Sequence, residues 1–151
     1  MMKHRLYFYS GLLCSFLSHS CAPVSTATSL SEAAPTGTVV AQGSLSGQNQ
    51  ASVSGSIYLY ESGTEGSYAL RVEAFSAPDE SGLYFEVMAN TLSNTTEKIA
   101  QLSAKSTAGD QNYFFSSESV VSFVSVRLIS SQAQPSKNLY ATATLDSVGS
   151  N

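Results

Sequence analysis

The chain has 151 residues, 42% of them hydrophobic and only 12% charged, with a formal net charge of −4. That length fits one domain with a real core once a processed leader is subtracted. Lys3 and Arg5 sit at the extreme N-terminus and the remaining five Lys and Arg residues are scattered, without the clustered basic surface a phosphate backbone requires, so nucleic acid is not an expected partner.

Residues 1–21 read as a leader. Lys3, His4 and Arg5 give a positive start, and the following "LYFYSGLLCSFL" is a mainly apolar run of 12 residues, shorter than the roughly 20 needed to span a bilayer as a helix. Both cysteines, Cys14 and Cys21, fall here. Small Ser20 precedes Cys21, with Leu17 four positions back, which resembles a bacterial lipoprotein signal whose cysteine is lipidated after cleavage. Such signals usually carry Leu three positions before the cysteine, and cleavage after Ala22 or an uncleaved anchor are the alternatives. Under lipidation Cys21 attaches the chain to membrane lipid at the outer membrane or cell surface; under plain cleavage the chain is secreted or periplasmic.

Processing leaves a chain without cysteine and without histidine, since His4 and His19 also lie in the leader. Five basic residues then face eleven acidic ones, a net of −6. No disulfide, Cys nucleophile, Ser/His/Asp triad or usual zinc or copper site is expected, and no cofactor is called for.

"APVSTATSLSEAAPTGT", residues 22–38, lacks an apolar period and reads as a flexible tether of about 20–25 Å average span. A β domain follows over residues 39–146, with a tail at 147–151. In "SVSGSIYLYE", Val53, Ile57 and Leu59 alternate with Ser54, Ser56, Tyr58 and Tyr60. In "YALRVEAF", Tyr68, Leu70, Val72 and Ala74 alternate with Arg71 and Glu73. "GLYFEVMA" sets Leu83, Phe85 and Val87 against Tyr84, Glu86 and Met88. "NTLSNTTEKIAQL" is the one segment where a short helical turn is plausible. "VVSFVSVRLIS" sets Val124, Val126 and Leu128 against Phe123, Ser125, Arg127 and Ile129, and "NLYATATL" aligns Leu139, Ala141, Ala143 and Leu145. Period two throughout predicts an all-β fold, an antiparallel sandwich or open barrel of about seven to eight strands.

Gly109, Gln111 and Tyr113 in "GDQNYFF" could shape a ligand site, the amide and phenol offering donors and acceptors. The same residues also suit a turn and strand in which Gln111 satisfies loop backbone and Tyr113 packs at the sheet edge. Asp79 and Glu80 in "APDESG" could offer oxygens to calcium or form an ordinary acidic turn. Tyr58, Tyr60 and Tyr84 could form an aromatic face, or simply fill strands.

The order of these segments, from "SVSGSIYLY" through "LRVEAFSAPD", "APDESGLYFEV", "QLSAKSTAGDQNYFF" and "FVSVRLIS" to "LYATATL", resembles the DM-thirteen domain. That family consists of small extracytoplasmic all-β modules often found beside DOMON domains. The resemblance covers about residues 41–146, and the G-x-Q-x-Y spacing of Gly109, Gln111 and Tyr113 is its most specific part. It implies a β fold and a part in electron transfer. Where the family typically has an apolar residue, an aromatic and a cysteine, this chain has Leu128, Ile129 and Ser130. The redox-cysteine position is therefore Ser130, whose hydroxyl cannot cycle through thiolate and disulfide.

The sequence thus predicts a membrane-tethered, extracytoplasmic β domain that binds an unknown protein or small ligand without catalysing a reaction. An electron-transfer accessory using a bound cofactor or partner is the alternative. A hydrolase built on carboxylates such as Glu73, Asp79 or Glu86 is the third reading.

Overall fold

The computed structural model describes residues 28–132 and 138–149; Cys21, the rest of the leader and residues 22–27 lie outside the described residues. Eleven strands form in chain order: β1 (Leu30–Ser31), β2 (Thr38–Ser44), β3 (Ser46–Gly47), β4 (Ser54–Glu61), β5 (Ser67–Ser76), β6 (Leu83–Thr91), β7 (Thr96–Ser103), β8 (Ala108–Ser116), β9 (Val120–Ser130), β10 (Leu139–Thr144) and β11 (Asp146–Ser147). Eight of them are six residues or longer, and among the described residues no helix forms. The strands build two stacked sheets, ordered β1-β8-β5-β4-β2-β11 and β3-β10-β9-β6-β7. This is an all-β sandwich, without a closed barrel. All pairings are antiparallel except β1 with β8.

Alternation places one face of each sheet inward. Ile57 and Leu59 of β4, Leu70 and Val72 of β5, and Phe85 and Val87 of β6 are fully buried, as are Val126 and Leu128 of β9 and Ala141 and Ala143 of β10. Aromatic rings bridge the sheets. Phe85 meets Phe75 at 5.4 Å and Tyr113 at 5.5 Å between centroids, while Phe123 meets Tyr68 at 5.0 Å.

Register shifts occur in several strand pairs, and two of them change which residue enters the core. In β5 the register slips between Val72 and Phe75; Ala74 takes a left-handed φ of 48° and is exposed, so Phe75 enters the core where alternation puts Ala74. In β9 the pairing jumps from Ser125 to Phe123 opposite Met88 and Ala89, so Val124 is the extra residue and Phe123, not Val124, turns inward. Each is a β-bulge, which inverts the facing of everything beyond it. The segment with a helical pattern, "NTLSNTTEKIAQL", is instead a hairpin of β6 and β7. Asn94 sits at φ 56°, and Thr91 N donates to Thr95 O (3.0 Å) across the turn. Pairing with β6 overrides the local helical pattern.

The sandwich has two ends. Loops 48–53, 77–82 and 104–107 gather at the near end, where Thr28 also lies; turns 62–66, 92–95 and 117–119 form the far end. Composition predicts a tether over residues 22–38, yet from Thr28 onward the chain is held. β1 pairs with the start of β8, and Ala33 O accepts from Asn112 Nδ2 (2.6 Å). Thr38 then pairs with Glu61 on the far side of β4. Residues 32–37 therefore cross β8, β5 and β4 on the outer face of the sheet, which accounts for the near-complete burial of Ala69, Arg71 and Asn112 there.

Phe85 is the largest fully buried side chain of the described core and touches both aromatic partners above. Phe85→Ala is expected to lower unfolding free energy by about 3–5 kcal/mol, read from urea denaturation midpoints at unchanged slope.

Candidate functional site

Gly109, Gln111, Glu80 and Ser130, singled out by sequence, lie at the near end. Gly109 opens β8 with φ 94°, and a side chain there would strike the backbone of Leu30, so only glycine lets β1 approach in parallel. Gln111 and Tyr113 follow on the inward face. Gln111 is fully buried, and its Oε1 accepts from Lys105 N (3.2 Å), Ser106 N (3.3 Å) and Tyr113 Oη (2.5 Å). Its Nε2 donates to Ser106 O (3.0 Å) and Ala108 O (3.4 Å). Lys105 N also donates to Tyr113 Oη (3.1 Å), and the Lys105 ammonium lies 5.2 Å above the Tyr113 ring. Burial pushes the Tyr113 phenol up to about 12. The amide and the phenol thus close the 104–107 turn onto β8, and their polar atoms are engaged internally.

Ser130 lies 1% exposed at the end of β9. Its Oγ donates to Glu80 Oε1 (2.6 Å) and accepts from Gln132 N (3.2 Å), while Tyr140 Oη donates to Glu80 Oε2. These two hydroxyls, Ser130 foremost, hold the Glu80 carboxyl below the usual carboxylate range, and the carboxylate in turn holds the Tyr140 phenol up. The trio ties the 77–82 loop to the ends of β9 and β10. Next to it, a shallow cavity of about 360 Å³ is lined by Thr28, Leu30, Glu80, Gly82, Lys105 and Ser106 among others.

Other candidates are separated. Both Glu80 oxygens accept hydroxyl hydrogen bonds, and among the described residues no group of three His, Cys, Asp or Glu is placed to hold a metal ion. Glu73 pairs with Arg71 on one sheet and Glu86 with Lys98 on the outer face of the other, so these two carboxylates do not converge. Tyr58 and Tyr60 share the outer face of β4, whereas Tyr84 lies outward on β6 of the opposite sheet.

Five residues not singled out by sequence, Glu32, Arg71, Lys105, Asp110 and Asn112, join Glu73 in the most connected polar cluster. Arg71, 5% exposed, donates through Nε to Glu73 Oε1 (2.5 Å) and through Nη1 to Asn112 Oδ1 (2.9 Å) and Glu32 O (2.9 Å). Its Nη2 reaches Asp110 Oδ2 (3.4 Å), whose other oxygen accepts from Ala74 N (2.9 Å) at the bulge. Glu32 accepts from Lys105 Nζ (2.8 and 3.0 Å) and Asn112 N (2.6 Å). The Lys105 bond, then the Asn112 N–H, holds the Glu32 carboxyl below its ordinary value of 4.5. The signal for this clasp was a lone acidic residue, Glu32, in an otherwise uncharged stretch.

Comparison of the chain with family models, curated proteins and solved structures finds no match.

Two outcomes test the site. Gln111→Ala strands the Ser106 N–H and the Tyr113 hydroxyl in a buried turn and is expected to cost about 2–4 kcal/mol in urea unfolding. For Glu32, a folded-state pKa below the unfolded one stabilises the fold above about pH 4.5 and is lost as pH falls through the lowered value. Glu32→Gln should cost about 1 kcal/mol at pH 7. The cost should shrink toward zero on acidification below pH 4, measured as the wild-type-to-variant difference in midpoint.

Proposed function

We propose that this chain is a membrane-tethered, extracytoplasmic β domain that acts as a non-enzymatic interaction module, attached to lipid through Cys21. The observation that carries the interaction role is the division of labour on β8. Its inward polar residues Gln111 and Tyr113 are spent on internal hydrogen bonds, while the neighbouring Phe114 is turned outward and stands 74% exposed. Large aromatics are the residue type enriched at the cores of protein interfaces, and Phe114 stands on an ordered strand. The buried Ser130, bound to Glu80, supports a structural role at the position where DM-thirteen domains carry cysteine. On this reading the resemblance describes the architecture of the domain, and its partner is a protein or ligand met at the surface.

The tether reading rests on the leader and gains a geometric consequence. Six residues separate Cys21 from the held Thr28, so the seven backbone steps reach at most about 25 Å. The near end then faces the bilayer and the far end faces away from it. Among the described residues no helix is long and apolar enough to cross a membrane.

Mass spectrometry of the mature N-terminus and membrane fractionation test the tether together. A diacylated or triacylated Cys21 is expected, and Cys21→Ser should move the protein wholly into the soluble fraction. A mature N-terminus at Pro23, or a Cys21→Ser protein that still sediments with membranes, overturns lipid attachment.

A further inference from the structure

β8 is the edge of its sheet for most of its length. β1 covers it only opposite Gly109 and Asp110. Glu32 N donates to Asp110 O (3.1 Å) and Asn112 N donates to the Glu32 carboxylate, which shows that the even-numbered residues of β8 turn their peptide groups away from β5. Beyond the clasp, Asn112 O, both peptide groups of Phe114 and Ser116 N therefore face outward, and no described residue pairs with them. The exposed Phe114 ring stands on this same stretch. Natural edges are normally blunted by Lys, Pro or a bulge. The other long open edge, β7, carries Lys98 and a register shift beside it, whereas β8 from Asn112 to Ser116 has neither.

The open edge leads to an acidic corner. Glu118 lies two residues past β8, and with Glu61, Glu65, Gly66 and Ser117 it lines a far-end cavity of about 450 Å³. None of the three glutamates has a cationic group within salt-bridge distance among the described residues.

We infer that the Asn112–Ser116 edge of β8 is a strand-addition site for an extended, basic segment of a partner protein. The segment pairs with the open peptide groups, packs an apolar side chain on Phe114 and places Lys or Arg at the Glu65–Glu118 corner. A window of five residues, about 17 Å long, sets the length of strand that fits. A second copy of the chain fits less well. Pairing about Phe114 would set Ser116 of one copy against Asn112 of the other, where Glu32 already holds the N–H, and would bring two acidic corners together.

This inference rests on the interaction-module reading and is tested separately from the lipid anchor. The full chain as its host produces it is mixed with an acetylated, amidated hexapeptide alternating lysine and valine, and amide exchange is followed by mass spectrometry. Exchange at Phe114 and Ser116 is expected to slow at least fivefold at saturation, with the β7 edge unchanged. Glu65→Gln and Glu118→Gln should each weaken binding about two- to fivefold. Phe114→Pro should abolish protection while keeping the fold, because the lost N–H points away from β5; Phe114→Ser, with native circular dichroism, serves if the proline variant does not fold. Equal binding of a glutamate–valine hexapeptide, equal protection of β7, or a chain already dimeric by sedimentation without peptide overturns the inference. Loss of peptide binding by a lipidated chain sinks the edge alone, and peptide binding by an unlipidated chain sinks the anchor alone.

Discussion

The buried Arg71 guanidinium is the constraint around which this sheet is arranged. A cation 5% exposed on an outer sheet face is costly unless its donors are all met by well-placed acceptors. Meeting them takes Glu73 on its own strand, Asp110 and Asn112 on β8, and the carbonyl of Glu32 from a segment far away in sequence. Asp110 can serve both Arg71 and the Ala74 N–H because β5 bulges there. The bulge then carries Phe75 into the core, against Phe85. One charged residue on the outside of the sheet is thereby coupled to aromatic packing on the inside.

The same cluster converts the segment before β2 from linker to structure. Glu32 bridges three partners from both sides of the β8 edge, Lys105, Asn112 and Arg71, and only a glycine at 109 admits the backbone that brings it there. Lys105 is itself fixed from below, since its N–H is bound by Gln111 and Tyr113. The residues that suggested a ligand site from sequence and the residues that clasp the N-terminal strap are therefore one continuous network, running from the core side of β8 around the 104–107 turn to its outer face. Its polar groups are coupled, and such networks are strong when every member is satisfied. Among the described residues no buried side-chain nitrogen or oxygen lacks a partner.

The architecture was legible because burial on one face writes period two into every long strand, and "SIYLY", "LYFEV" and "YATATL" carry that pattern without interruption. The bulges were not legible. Whether Ala74 or Phe75 faces the core is decided by a carboxylate 36 residues away in sequence, and no local pattern records that. Nor was β1, since two residues of Leu and Ser in a small-residue stretch give no periodicity, and their partner is a glycine backbone. At the site, Gly109, Gln111 and Tyr113 stood out by spacing, and the structure places them together; their neighbours Glu32, Arg71 and Asn112 come from three separate segments and stood out only as isolated polar residues. Glu80, legible as part of an acidic turn, acquires its meaning from two hydroxyls on β9 and β10 that are 50 and 60 residues distant.

The clasp also gives the sandwich a direction. It fastens the incoming chain at the near end, where loops 77–82 and 104–107 are tied down by Glu80 and Gln111, and it ends the covered part of the β8 edge at Asn112. What is left uncovered, the peptide groups from Asn112 to Ser116, the Phe114 ring and the Glu61, Glu65 and Glu118 side chains, lies toward the far end. On the proposed lipid-anchored reading, a chain held at one end and leaving its unmet hydrogen-bonding, apolar and charged groups at the other is arranged so that anchoring and recognition do not compete for the same surface. The carboxylate of Glu32 marks the boundary between the two, because a side chain that caps the Asn112 N–H halts β1 after two paired residues and keeps the strap from covering the rest of the edge.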